Sequence, residues 1–196
     1  MYEAKRRGRS GVALYTETLR REAAERLSTV TGLRDAVADN QLVLFYQPIV
    51  ALATGEIVGV EALLRWNHRQ RGLLGPTDFL MIAEDTGLIL QLGSWALQQA
   101  CLQLASWDRS VDGFPPLDLG VNLSGRQLSD PGLPTIIESA VAASGLDPAR
   151  LILEITESTL MQDVTSARFL LDTLKHLGVG IAIDDFGTPA SRLWPS

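Results

Sequence analysis

Residues 117–185 read LDLGVNLSGRQLSDPGLPTIIESAVAASGLDPARLILEITESTLMQDVTSARFLLDTLKHLGVGIAIDD. Three short apolar runs stand out: Leu117–Leu123, Leu151–Thr156 and Val179–Asp185. Two stretches of helical periodicity, Pro134–Ala143 and Asp163–Leu177, separate them. Pro131 and Pro134 lie near the first helix start, and Gly178 stands where a C-terminal glycine stop belongs. The runs are near-continuous in Val, Ile and Leu rather than alternating, which predicts parallel strands covered on both faces. Strand, helix, strand, helix, strand predicts right-handed crossovers and an α/β architecture.

Upstream, the same reading gives two more strands, Leu42–Val50 (LVLFYQPIV) and Ile57–Trp66 (IVGVEALLRW), followed by helices over Thr77–Glu84 and Leu92–Trp107. The first 40 residues differ. Leu19, Ala23, Leu27 and Val30 recur at spacings of three and four among charged residues, which predicts a helix with one narrow apolar stripe. Such a helix suits a connector or a short coiled-coil seam, and a solvated surface helix equally well.

Composition bounds the function. The chain has 196 residues, 46% hydrophobic and 20% charged, a globular rather than a disordered balance. No apolar run is long enough for a membrane span, and the basic Met1–Ser10 is followed by neither an apolar core nor a small-residue cleavage site, so no signal peptide is expected. The single Cys101 cannot form an internal disulfide, which fits a cytoplasmic setting. Net charge is −6, but residues 1–34 carry +4 and the remainder −10. The main body therefore lacks the broad basic surface that a general grip on DNA or RNA requires. A phosphate ligand would instead be held by metal ions and a few placed arginines.

The chemistry-bearing residues sit on the strands. Glu61 lies in the second run, Asn122 in the third and Glu154 in the fourth, with Glu157 just beyond; the fifth ends in Asp184-Asp185. Asn122 and Glu154 are 32 residues apart, Glu154 and Asp184 are 30 apart, and Glu61 and Asn122 are 61 apart. The first two intervals are one βα unit each, and the third fits a unit with an extra helix. In a parallel barrel such residues stand at one height, at the C-terminal rim where sites are built. Carboxylates gathered there repel one another, and a divalent cation removes the repulsion. All-oxygen ligands favour Mg²⁺, Mn²⁺ or Ca²⁺ over zinc. One acid on a strand is as readily a hydrogen-bonded anchor for a loop; four in register are not. Two cations side by side suit phosphodiester hydrolysis. Arg65, four residues after Glu61 and on the same side of its strand, could clamp a phosphate; its plainer reading is a salt bridge with a nearby acid. His68 and His176 read as surface residues, Trp95 and Trp107 as packing residues, and Cys101 as a small core hydrophobe.

Glu61-Ala62-Leu63-Leu64-Arg65-Trp66 resembles the signature of the EAL-domain family, the cyclic di-GMP phosphodiesterases. So do Tyr46-Gln47-Pro48-Ile49, Val121-Asn122-Leu123-Ser124, Leu153-Glu154-Ile155-Thr156-Glu157 and Asp184-Asp185-Phe186-Gly187-Thr188, in family order and at family spacing. The resemblance implies a TIM-like (β/α)₈ barrel, here incomplete with about five of its eight strands, its first strand antiparallel to the rest. It implies metal ligation by Glu61, Asn122, Glu154 and Asp184, with Asp185 at a second metal and Mg²⁺ or Mn²⁺ as the ion. Gln47 and Arg65 match positions that contact the dinucleotide. The implied reaction is hydrolysis of one phosphodiester bond of cyclic di-GMP to linear pGpG, with Glu61, Asp184 and Asp185 central to it. The alternative expectation is a non-catalytic module that binds cyclic di-GMP or meets a partner, a second copy included, through an exposed strand edge.

Met1-Tyr2-Glu3-Ala4-Lys5-Arg6 with Gly8-Arg9 is similar to the end of a GGDEF domain. The expected organisation is a GGDEF remnant over 1–15, a connector helix over 16–40, the first part of an EAL domain over 41–188 and a divergent tail over 189–196. The parent protein is expected to carry the GGDEF domain upstream, with any membrane anchor in parts not present here. After Thr188 the family pattern Gly-Tyr-Ser-Ser-Leu gives way to Pro189-Ala190-Ser191-Arg192-Leu193, and the strand bearing the family's catalytic lysine does not follow. Little or no turnover is therefore expected of this chain alone, a positioned acid or base contributing about 10²–10⁴ in rate.

Overall fold

In a computed structural model, residues 17–110, 115–157, 159 and 164–184 are described; the side chains of Glu17, of 164–169 and of Asp184 are not. The chain opens with helix α1 (Glu17–Ala36). Strand β1 (Leu42–Val50) and strand β2 (Ile57–His68) follow, then a short strand β3 (Gly72–Leu74). A 3₁₀ turn at Pro76–Asp78 leads into α2 (Leu80–Thr86) and the long α3 (Leu88–Ser110). Next come β4 (Asp118–Leu123), the single-turn α4 (Gly125–Leu128) and α5 (Leu133–Ser144). The described chain ends with β5 (Leu151–Thr156), α6 (Val164–His176) and β6 (Gly180–Asp184).

The strands form one mixed sheet in the order β1-β2-β4-β5-β6, with β3 folded back on β2. β1 runs antiparallel to β2, while β2, β4, β5 and β6 are mutually parallel. This is the α/β, barrel-type arrangement with a reversed first strand. Among the described residues the sheet stays open, with β1 and β6 as its edges.

Burial alternates along the strands. Val60 and Ala62, then Leu119, Val121 and Leu123, then Leu151, Leu153 and Ile155 all point to one face and are buried. Against them pack Leu97, Cys101 and Leu104 of α3, Leu133 and Ile137 of α5, and Leu170 and Leu174 of α6. The other face, which holds Glu61, Leu63, Ile152 and Glu154, is half-buried. The expectation of burial on both faces therefore holds for one face only. Apolar residues occupy both sides of each strand, but the described helices cover one side.

A second core gathers around Trp66, which is fully buried with Leu33, Ala36, Phe79 and Leu92. The Trp66 indole meets Phe79 edge-on at 5.8 Å and donates Nε1–H to Gln41 Oε1 at 3.0 Å. α1 packs here through Leu33 and Ala36. Its stripe of Leu19, Ala23, Leu27 and Val30 is not the packing face; Leu27 is 67% exposed. The solvated alternative describes the first half of this helix, and the last turns belong to the core.

Other differences are local. β2 runs two residues past Trp66 because β3 pairs with its end, a hairpin in which His68 Nδ1 accepts from the backbone N–H of Gln70 and Arg71. α3 extends beyond the expected Leu92–Trp107 at both ends. Gly178 has φ +83°, the left-handed stop expected of it. The segments expected to be a GGDEF remnant and a divergent tail lie outside the described residues.

Candidate active site

Strand register builds the site. Parallel pairing sets Glu61 against Gly120, Asn122 against Glu154, Glu154 against Ala182 and Thr156 against Asp184. Antiparallel pairing sets Gln47 opposite Glu61 and Val43 opposite Arg65. Residues directly across a ladder share a face, and so do residues two apart on one strand. Gln47, Glu61, Arg65, Gly120, Asn122 and Glu154 therefore occupy one side of the sheet, opposite the helix-covered core.

The side chains meet over a gap. Asn122 Nδ2 donates to Glu61 Oε1 at 2.7 Å across neighbouring strands. Glu154 leans in from the other side over Gly120. A Cβ at Gly120 would run into the Glu154 carboxylate and would sit 3.6 Å from Glu61 Cα. The missing side chain is thus the space that lets two carboxylates and an amide converge. Their donors are all oxygen once the Asn122 amide makes a half-turn that exchanges Nδ2 for Oδ1, and such a set fits a hard divalent cation. Among the described residues no three His, Cys, Asp or Glu side chains cluster as a metal site; the third member here is an amide. Asp184 is described only as the backbone at the end of β6, and Asp185 lies outside the described residues.

Arg65 stands at the rim of β2. Its Nη1 donates to the Leu64 carbonyl at 2.9 Å and its guanidinium lies over the Phe45 ring at 5.7 Å, a cation–π placement. The ion pairs of the described residues do not include it. Gln47 is exposed.

A cleft of about 950 Å³ opens at the C-terminal ends of β2, β4 and β5, with Arg65, Asn122, Ser124 and Thr156 in its wall. The chain leaves β4 through a capping box. Ser124 Oγ accepts from Gln127 N at 3.3 Å, and Ser124 N donates to Gln127 Oε1 at 3.1 Å. This turn carries Arg126 into the cleft. Arg126 Nη1 donates to the carbonyls of Glu84 at 2.5 Å and Asp85 at 3.4 Å, at the C-terminal end of α2. The sequence assigns no role to Gly120 or Arg126, and Ser124 enters only as the end of the Val121–Ser124 motif. The Ser-x-x-Gln pattern signals the cap, whereas nothing local to Gly120 or Arg126 signals a site.

Fold and site together define an α/β barrel-type domain with a carboxylate–amide cluster at its C-terminal rim. The EAL domain family model matches residues 31–193. The chain belongs to the EAL domain family. It is 45% identical over 194 residues to the bifunctional diguanylate cyclase/cyclic di-GMP phosphodiesterase MucR of Pseudomonas aeruginosa, covering 98% of this chain and 28% of that protein. It is 39% identical over 193 residues to the cyclic di-GMP phosphodiesterase NbdA of the same organism, covering 98% of this chain and 24% of NbdA. Among solved structures it resembles the PaMucR phosphodiesterase in its c-di-GMP complex, with TM-score 0.78 and 46% identity over 82% of this chain and 64% of that one. It also resembles the FimX EAL domain of P. aeruginosa bound to c-di-GMP, with TM-score 0.72 and 28% identity over 81% of this chain and 62% of that one. The chain thus spans about a quarter of the length of these curated relatives.

Proposed function

We propose that this chain binds cyclic di-GMP and takes part in the metal-dependent hydrolysis of one of its phosphodiester bonds to linear pGpG. One observation carries the reading: the Glu61–Asn122 pair and the Glu154 carboxylate meet over Gly120, beside a cleft lined by Arg65. The names of MucR and NbdA, and the c-di-GMP complexes of the structural neighbours, support the same substrate.

Glu61, Asn122 and Glu154 would hold the cation, with Asp184 and Asp185 completing the set. Bound Mg²⁺ or Mn²⁺ supplies Lewis acidity toward water and a phosphoryl oxygen. Arg65, steadied on Phe45 and Leu64, turns its remaining N–H groups to a phosphate. Gln47, across the ladder from Glu61, meets the dinucleotide from the β1 side. Family membership also suggests a diguanylate cyclase-type domain upstream, as MucR's name implies for that protein. Among the described residues no helix is long and apolar enough to cross a membrane. A cytoplasmic setting accords with the lone thiol of Cys101.

Calorimetric titration with cyclic di-GMP in Mg²⁺ or Mn²⁺, with chromatography for the linear product, tests the proposal. Cation-dependent binding is expected, weakened about tenfold or more in Arg65→Ala and abolished by chelation. No binding in either cation overturns the substrate. Binding with no product in either cation accords with the little or no turnover expected above and with a binding module, whereas product formed in either cation supports the hydrolytic half.

A further inference from the structure

The cleft lies beside the carboxylate cluster and meets it at Asn122. Past Asn122 its wall includes Leu80, Ile89 and Leu123, an apolar lining, together with Glu84 and Arg126. Arg65 and Arg126 are the cations among its lining residues. Arg126 is held rather than mobile. Its Nη1 is engaged by the two carbonyls that end α2, and its guanidinium lies against Gly87. A Cβ on Gly87 would stand 3.5 Å from Arg126 Cζ, an ordinary contact, so it is the left-handed φ of +81° at the end of α2 that calls for glycine there.

This arrangement leaves Nε and Nη2 of Arg126 without a hydrogen-bond partner among the described residues. They form the side-on edge of the guanidinium, two N–H groups side by side. Glu84 is exposed in the same wall, and its carboxylate has no partner among the described residues, since Arg26 pairs instead with Asp85 at 2.7 Å. A parallel donor pair and a carboxylate that line one partly apolar cleft complement guanine. That base offers O6 and N7 as adjacent acceptors, and N1–H and the 2-amino group as donors. Adenine would set its 6-amino donor against Arg126 and has no N1–H for Glu84.

We propose that Arg126 and Glu84 read one guanine of the bound dinucleotide. Arg126 donates from Nε and Nη2 to O6 and N7, and Glu84 accepts from N1–H and the 2-amino group. The inference rests on the cyclic di-GMP reading above and adds the groups that select the base.

The test compares calorimetric affinities for cyclic di-GMP and cyclic di-AMP, which share the phosphates and sugars, in Mg²⁺. Arg126→Gln and Glu84→Ala are each expected to reduce the preference for the guanine form about tenfold or more, by weakening cyclic di-GMP alone. Arg126→Gln also removes the contacts to the end of α2 and lowers the melting temperature. Glu84→Ala keeps the backbone carbonyl that Arg126 uses, so its loss of preference does not come from that cap. If both dinucleotides weaken by the same factor, the pair contacts phosphate or sugar and the inference falls. If the wild-type preference persists in both variants, the inference falls while the substrate assignment stands. If the wild-type chain shows no preference for the guanine form, both fall.

Discussion

At the scale of single residues, Gly120 decides whether the cluster can form. Its ladder partner is Glu61, and the Glu154 carboxylate occupies the volume where its Cβ would be. Gly120→Ala should leave the fold intact, because the obstructing atoms are the far end of a flexible side chain. It should displace Glu154 and reduce Mn²⁺ affinity about tenfold or more, measured by calorimetry beside a thermal melt. Unchanged Mn²⁺ affinity would show that Glu154 does not share a cation with Glu61. Glu61, Asn122 and Glu154 are legible from spacings of one βα unit and of one unit with an extra helix, because repeat length in a parallel sheet sets height along the strands. Gly120 is not, since its importance lies in what neighbouring strands aim at it. The plainer reading of Arg65 as an ion-paired surface residue gives way to its seat over Phe45.

At the scale of elements, α1 shows how a helix pattern can be read correctly for its existence and wrongly for its face. Ala23 and Leu27 of its apolar stripe are exposed, while Leu33 and Ala36 near its end seal the Trp66 core. Gly32 permits the contact: a Cβ there would lie 2.9 Å from Trp66 Cζ2. Gly32→Leu should therefore destabilise the chain by about 1–3 kcal/mol through overpacking, against the roughly 1 kcal/mol that helix propensity would return. Urea unfolding followed by tryptophan fluorescence reads this, and a gain in stability would place Gly32 on a solvent face. Trp66 follows Arg65 directly on β2, so α1 is seated one residue from the phosphate-clamping candidate. The Arg26–Asp85 pair adds a second link from α1 to the end of α2, but both partners are about half exposed and the pair contributes little by itself.

At the scale of the whole molecule, the sheet separates a helix-packed core from the polar face. Tyr46 and Cys101 belong to the core side, with Tyr46 edge-on to Trp107 at 4.8 Å. Burial and the neighbouring Cys101 push the Tyr46 hydroxyl up to about 12, and burial pushes the Cys101 thiol up to about 11. Both groups are neutral when protonated, and in the unfolded chain they return toward their ordinary values of 10.0 and 9.0. The unfolded state therefore loses these protons first. The stability tied to them is complete below about pH 9 and is lost as pH rises toward 12. Urea midpoints at pH 8, 10 and 11 should fall in that order, and Cys101→Ala should flatten the first part of the fall. A flat profile would mean that neither group is shielded from water in solution.

The sequence alone determined the α/β class, the positions of five of the six described strands and the residues whose side chains gather in the carboxylate–amide cluster. Those properties follow from local hydrophobic runs and from the length of a repeating unit. Tertiary structure decided which strand faces are covered, that Asn122 reaches Glu61, that Gly120 opens the space beneath Glu154, and that Arg126 enters the cleft pinned to the end of α2. Each of these depends on atoms tens of residues apart in the chain, brought together by strand register and helix packing.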